Sequence, residues 1–125
     1  MRSAIQEKIK ALIVDDETDV CYLLSSILQY KNLQASYVNS IGEAKRVLRE
    51  DNHSIVFLDN HLPDGFGINF IDEIKKINPL VKIIMITAHD TKNDRNRAHE
   101  QGVDQFIGKP FTRESILKAI ESLEN

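Results

Sequence analysis

Five short apolar runs, each followed by a segment of helical character, set the narrowest bound on what this chain can fold into. The runs cover residues 11–14, 33–38, 55–58, 83–86 and 103–107. Their β-branched content and short length favour strands over helices. Between them the apolar period becomes that of a helix. Val20, Leu23, Leu24, Ile27 and Leu28 form one stripe, and Ala44, Val47 and Leu48 form a second. Ile71, Ile74 and Ile77 mark the third, and Ile116, Ile120 and Leu123 the fifth. Ser40 and Glu43 have capping-box spacing, Asn78–Pro79 stops the third helix, and Thr112 can cap the last. The fourth segment, residues 91–101, carries one apolar residue, Ala98, before Gly102 offers a C-cap. A helix there has little to bury and should be weakly held.

Strict β-α alternation implies a parallel sheet with right-handed crossovers and helices on both faces. Runs one, three and four are continuously apolar, as strands buried on both sides should be, whereas runs two and five carry polar residues and suit the edges. The expected fold is therefore a doubly wound α/β sheet of order 2-1-3-4-5. A chain of 125 residues, 42% hydrophobic, is filled by one such domain.

In a doubly wound sheet, ligands bind beyond the carboxyl ends of the strands, at the switch point between strands one and three. Strand one ends in Asp15–Asp16, strand three in Asp59, strand four in Thr87 and strand five in Lys109–Pro110. Each alone is ordinary: an acidic pair can cap a helix, and a lysine is usually solvated. Together they place three carboxylates, a hydroxyl and an ammonium in one cleft. Two like charges 4 Å apart repel by about 4 kcal/mol at an effective dielectric of 20, so such a cluster calls for a cation, a proton or both. All-oxygen ligands suit a hard ion such as Mg²⁺. The cleft looks suited to receive an anion, most simply a phosphoryl group, through that metal.

The segments ALIVDDE, FLDNHLPDGFG, IIMITA and FIGKP, in this order and spacing, resemble the receiver domain of two-component response regulators, of the chemotaxis-regulator type. The resemblance implies a flavodoxin-like (βα)5 receiver over residues 10–125, with an N-terminal extension over residues 1–9. It makes Asp59 the phosphoacceptor for a sensor histidine kinase or phosphotransfer protein. Asp15, Asp16, Asp59 and the backbone carbonyl of His61 would hold Mg²⁺, which Mn²⁺ could replace. Thr87 would hydrogen-bond the phosphoryl oxygens and Lys109 would pair with them. A cis peptide is implied at Lys109–Pro110. Thr87 and Phe106 would act as the switch. The output would leave through the face of helix four, strand five and helix five, toward a downstream protein, an output domain or a second copy of the chain. By the same resemblance the chain is no enzyme beyond Mg²⁺-dependent self-phosphorylation and slow autodephosphorylation. His61 and His89, two residues after Asp59 and Thr87, would flank the hydrolysing water and tune acyl-phosphate lifetime; the pair could also capture a transition metal. His53 and His99 belong to no constellation.

Three alternatives fit less well. An Asp-nucleophile phosphatase of the haloacid dehalogenase type needs a second Asp at position 61, which is His, and a cap domain. A flavodoxin-like cofactor binder needs a phosphate cradle after strand one, where Asp15–Asp16–Glu17 would repel it. A degenerate, phosphorylation-independent receiver acting as a protein-binding module would not need an intact Asp/Thr/Lys set. Sixteen Lys+Arg against nineteen Asp+Glu, a net charge of −3, argues against direct nucleic-acid binding. The longest apolar run is five residues, far short of a membrane span, and the N-terminus has no signal-peptide core. One cysteine, Cys21, fits a reducing compartment, so a cytoplasmic location is expected.

Overall fold

In a computed structural model, which describes residues 9–123, five strands form one parallel sheet. They are β1 (Lys10–Val14), β2 (Gln34–Val38), β3 (Ile55–Asp59), β4 (Lys82–Thr87) and β5 (Gln105–Gly108), in the order β2-β1-β3-β4-β5. The connections are α1 (Thr18–Tyr30), α2 (Ile41–Glu50), α3 (Ile71–Ile77) and α4 (Lys92–Gln101), and α5 (Arg113–Leu123) closes the domain. Residues 1–8 of the expected extension lie outside the described residues.

The two-residue period of the strands divides the core into two layers. Leu12, Val14, Val56, Leu58, Ile83 and Met85 pack with α2 and α3 and with Ala98 of α4. Ala11, Ile13, Phe57, Ile84 and Ile86 face the opposite way, against α1 and α5. Every residue of β3 is buried, whereas edge strand β2 buries only Val38. Among the described residues no helix is long and apolar enough to cross a membrane.

Local chemistry ends the helices where expected. Ser40 Oγ accepts from the Glu43 amide at 3.2 Å at the start of α2. Thr112 and Ser115 exchange hydrogen bonds of 3.0 and 3.1 Å before α5. Asn78 ends α3, and Gly102 ends α4 in the left-handed region at φ 106°. Three details differ from the expectation. Leu23 is 52% exposed, because the apolar stripe of α1 is wider than the face it buries. The β5 ladder runs from Gln105 to Gly108, later than its apolar run, with Val103 buried ahead of it. After β3 the chain makes a two-residue antiparallel ladder (His61–Leu62 with Gly65–Phe66) and a 3₁₀ turn (Gly67–Phe70) before α3 begins.

Candidate functional site

Because all five strands are parallel, their carboxyl ends share one edge of the sheet, and the reactive side chains gather there. Asp15 follows β1, Asp59 and Thr87 end β3 and β4, and Lys109 follows β5. Asp15, Asp59 and Thr87 are buried, at 2%, 5% and 1% exposure. Lys109 Nζ is the hub: it lies 2.9 Å from Asp15 Oδ2, 2.8 Å from Glu17 Oε1 and 3.6 Å from Asp59 Oδ2. Carboxylate oxygens of Asp15, Glu17 and Asp59 all lie within 4.8 Å of one another. Asp16 is exposed and outside that group. Glu17 takes a place that sequence reasoning missed, although the run of three acidic residues contained it.

The electrostatics follow from burial and crowding. Burial pushes Asp59 up to about 6; the Asp15 charge adds to this, against Lys109 and the amides of Asn60 and His61. Burial also raises Asp15, against the Glu17 amide, which donates at 2.8 Å, and Lys109. Burial works against the Lys109 charge, but hydrogen bonds to Glu17 and Asp15 and the Asp59 charge outweigh it and hold the ammonium protonated well above its ordinary range. Cys21, whose thiol donates to the Asp15 carbonyl at 3.3 Å, is pushed up to about 11 by burial and the Asp15 charge, so it is an inert core thiol.

The loops are built to hold this geometry. A Cβ on Gly67 would stand 2.2 Å from the Asp59 carbonyl oxygen, so only glycine lets the chain pass that close to β3. The Gly67 amide donates to the Asn60 carbonyl at 2.8 Å, and buried Asn60 accepts the Ile68 amide at 2.9 Å through Oδ1. Asp64 accepts the Ile41 and Gly42 amides, both at 2.9 Å, which ties this loop to the start of α2. These two amides hold its carboxyl below the usual range. Thr87 Oγ1 accepts the His89 amide at 3.2 Å, and the Lys109 amide donates to the Thr87 carbonyl at 2.8 Å. The Lys109–Pro110 peptide is cis.

Phe106 is buried, and Arg95 of α4 covers it, with its guanidinium carbon 4.8 Å from the ring centroid. Arg95 also grips Asp90 through two hydrogen bonds of 2.6 and 2.9 Å. His61 and His89 are both exposed and their rings lie 4.1 Å apart. His53 is buried just before β3, and among the described residues its Nδ1 has no hydrogen-bond partner. His99 lies exposed on α4.

Three carboxylates against one ammonium leave the pocket two negative charges in excess, and its donors are all oxygen. Such a set fits a hard divalent cation. The doubly wound α/β domain thus carries a buried aspartate, a lysine and an acidic, metal-fitting cluster at its switch point. Residues 11–121 match the response regulator receiver domain. The chain belongs to this family. It is 32% identical over 119 residues to the sensory transduction protein LytR of Staphylococcus saprophyticus, covering 92% of this chain and 45% of that one. It is 28% identical over 116 residues to the phosphate regulon transcriptional regulatory protein PhoB of Escherichia coli, covering 91% and 51%. The solved structure of the beryllofluoride-activated NtrC4 receiver domain dimer superposes with a TM-score of 0.86 at 34% identity, covering 90% of this chain and 93% of that one. The chain spans about half the length of the curated relatives it matches. It is a receiver domain of two-component response regulators, a family of signalling domains that are not generally enzymes.

Proposed function

We propose that Asp59 is the phosphoacceptor of this receiver and that a phosphohistidine of a sensor histidine kinase or phosphotransfer protein is the donor. The observation that carries this reading is the Asp59 carboxylate, 5% exposed at the end of β3 and 3.6 Å from Lys109 Nζ. A carboxylate oxygen of Asp59 attacks phosphorus, the N–P bond of the donor breaks, and the imidazole leaves as an acyl phosphate forms. Charge spreads over the phosphoryl oxygens in the transition state, so positioned cations and donors do most of the work. Lys109 pairs with those oxygens, and the Thr87 hydroxyl donates to one of them.

Asp15, Asp16, Asp59 and the His61 carbonyl would hold Mg²⁺ or Mn²⁺, with Glu17 beside them. Bound there, the ion supplies charge neutralisation between the attacking carboxylate and the incoming phosphoryl group. The chain's own catalysis is limited to self-phosphorylation from small donors and slow autodephosphorylation, whose rate His61 and His89 tune. Thr87 and Phe106 pass the signal to the face of α4, β5 and α5, which meets a downstream protein, an output domain or a second copy of the chain. The buried unpaired Cys21 thiol suits action in the reducing cytoplasm. Incubation with acetyl phosphate and Mg²⁺, read by intact mass, tests the assignment. Wild type should gain one phosphoryl group and Asp59→Asn none; equal gain by both would reject Asp59.

A further inference from the structure

Outside the carboxylate cluster, two imidazoles from different loops face one another. His61 opens the short ladder after β3, and His89 lies two residues beyond the end of β4. Their ring centroids are 4.1 Å apart with planes tilted by 40°. Phe66, the cross-strand partner of His61, meets the His61 ring edge-on at 5.4 Å and so orients it. Among the described residues, neither imidazole is engaged by a hydrogen bond or an ion pair. Both line a cavity of about 360 Å³, together with Asn60, Asn69, Asp94 and Arg97.

We propose that His61 and His89 form a binding site for a borderline transition-metal dication, Zn²⁺, Ni²⁺ or Cu²⁺, as a two-imidazole chelate whose remaining positions water fills. Ring stacking is worth only about 0.5–1.5 kcal/mol. A shared ion about 2.0–2.1 Å from one nitrogen of each ring requires the stack to open by about 1 Å, a small adjustment for two exposed loop side chains. Donor chemistry separates this site from the acidic pocket: imidazole nitrogen selects Zn²⁺, Ni²⁺ and Cu²⁺, whereas the all-oxygen cluster selects a hard ion. The ion would also bridge two loops that matter. His61 follows Asp59 by two residues, and the His89 amide donates to Thr87 Oγ1 at 3.2 Å. Occupancy would therefore resist movement of the loop that carries Thr87. That last consequence rests on the receiver reading; the binding itself does not.

The test is to titrate Zn²⁺ into the chain at pH 7.5 in excess Mg²⁺, following heat and histidine side-chain resonances. One equivalent should bind, moving the resonances of His61 and His89 and leaving those of His53 and His99 in place. His61→Ala and His89→Ala should each weaken binding by about tenfold or more. Binding that vanishes in excess Mg²⁺ would put the ion on the carboxylates and overturn the proposal. So would unmoved His61 and His89 resonances, or two single variants that bind as wild type does. None of these readouts involves phosphorylation, so they stand apart from the fate of the Asp59 assignment.

Discussion

Replacing Asp59 by asparagine should stabilise the fold, by an amount that depends on pH. The carboxylate is 5% exposed beside Asp15, and its folded-state pKa of about 6 stands above the ordinary 3.8. A group whose folded pKa is raised binds its proton more tightly in the folded state. At pH 7.5 it is charged in both states, and the whole burden falls on the native one. Between pH 6 and 3.8 the native state gains a proton that the unfolded chain does not yet hold, and the burden disappears. The interval from 3.8 to about 6, at about 1.4 kcal/mol per pH unit, corresponds to about 3 kcal/mol. The raised pKa already includes the opposing pull of Lys109, so this is a net figure. Urea denaturation without divalent ions should show Asp59→Asn about 3 kcal/mol more stable than wild type at pH 7.5, with the gap closing near pH 4. Added Mg²⁺ should narrow the gap at pH 7.5 by binding the native wild-type pocket. Equal stability at pH 7.5, or a gap that ignores pH, would refute the reasoning that burial and Asp15 strain this carboxylate.

Gly67→Ala should cost about 1–3 kcal/mol in urea denaturation and slow acetyl-phosphate labelling of Asp59, because its Cβ would fall 2.2 Å from the Asp59 carbonyl oxygen. Unchanged stability and labelling would show that this close approach is not needed. His53 sits 4% exposed with burial depressing its pKa, against the Asp51 charge and an Asp51 hydrogen bond. Its neutral form is favoured in the native state, so stability should fall as pH drops below the ordinary 6.5, with a sign opposite to that of Asp59; His53→Gln should remove that slope in denaturation curves from pH 7.5 to 5. Arg95→Ala should speed amide hydrogen exchange in α4 and around Phe106 while leaving α1 and α3 protected. Unchanged exchange would show that Arg95 does not hold the helix.

How far the residues speak for themselves varies along the chain. Strands β1, β3 and β4 were legible because burial on both faces leaves no room for polar side chains, and the order follows from which runs are purely apolar. The site was legible for the same topological reason: a parallel sheet puts Asp15, Asp59, Thr87 and Lys109 on one edge whatever the loops do. Side-chain aim was not legible. Asp16 and Glu17 are adjacent acids after β1, and only the turn into α1 decides that Glu17 reaches Lys109 while Asp16 points to solvent. The ladder of His61–Leu62 with Gly65–Phe66 is too short for any period to register. The need for glycine at 67 arises from a backbone approach to Asp59 eight residues earlier, which no local pattern encodes.

The helix with least to bury lies beside the site and is held mainly by polar contacts. A fully buried aliphatic side chain contributes about 1.5–3 kcal/mol, and α4 buries only Ala98. Its ends are well made, with Thr91 Oγ1 accepting the Asp94 amide at 3.0 Å and Gly102 closing the last turn, so it persists as a helix. Its position depends on the polar strap from Arg95 to Asp90 and over the Phe106 ring. Such surface contacts are individually weak and screened by salt. Asp90 in turn packs against Gly108, one residue before Lys109, where a Cβ would come within 2.6 Å of its carboxylate. Asp90 thus joins the strap on α4 to the backbone of β5 beside Lys109. With only Ala98 buried, α4 relies on this strap for its position.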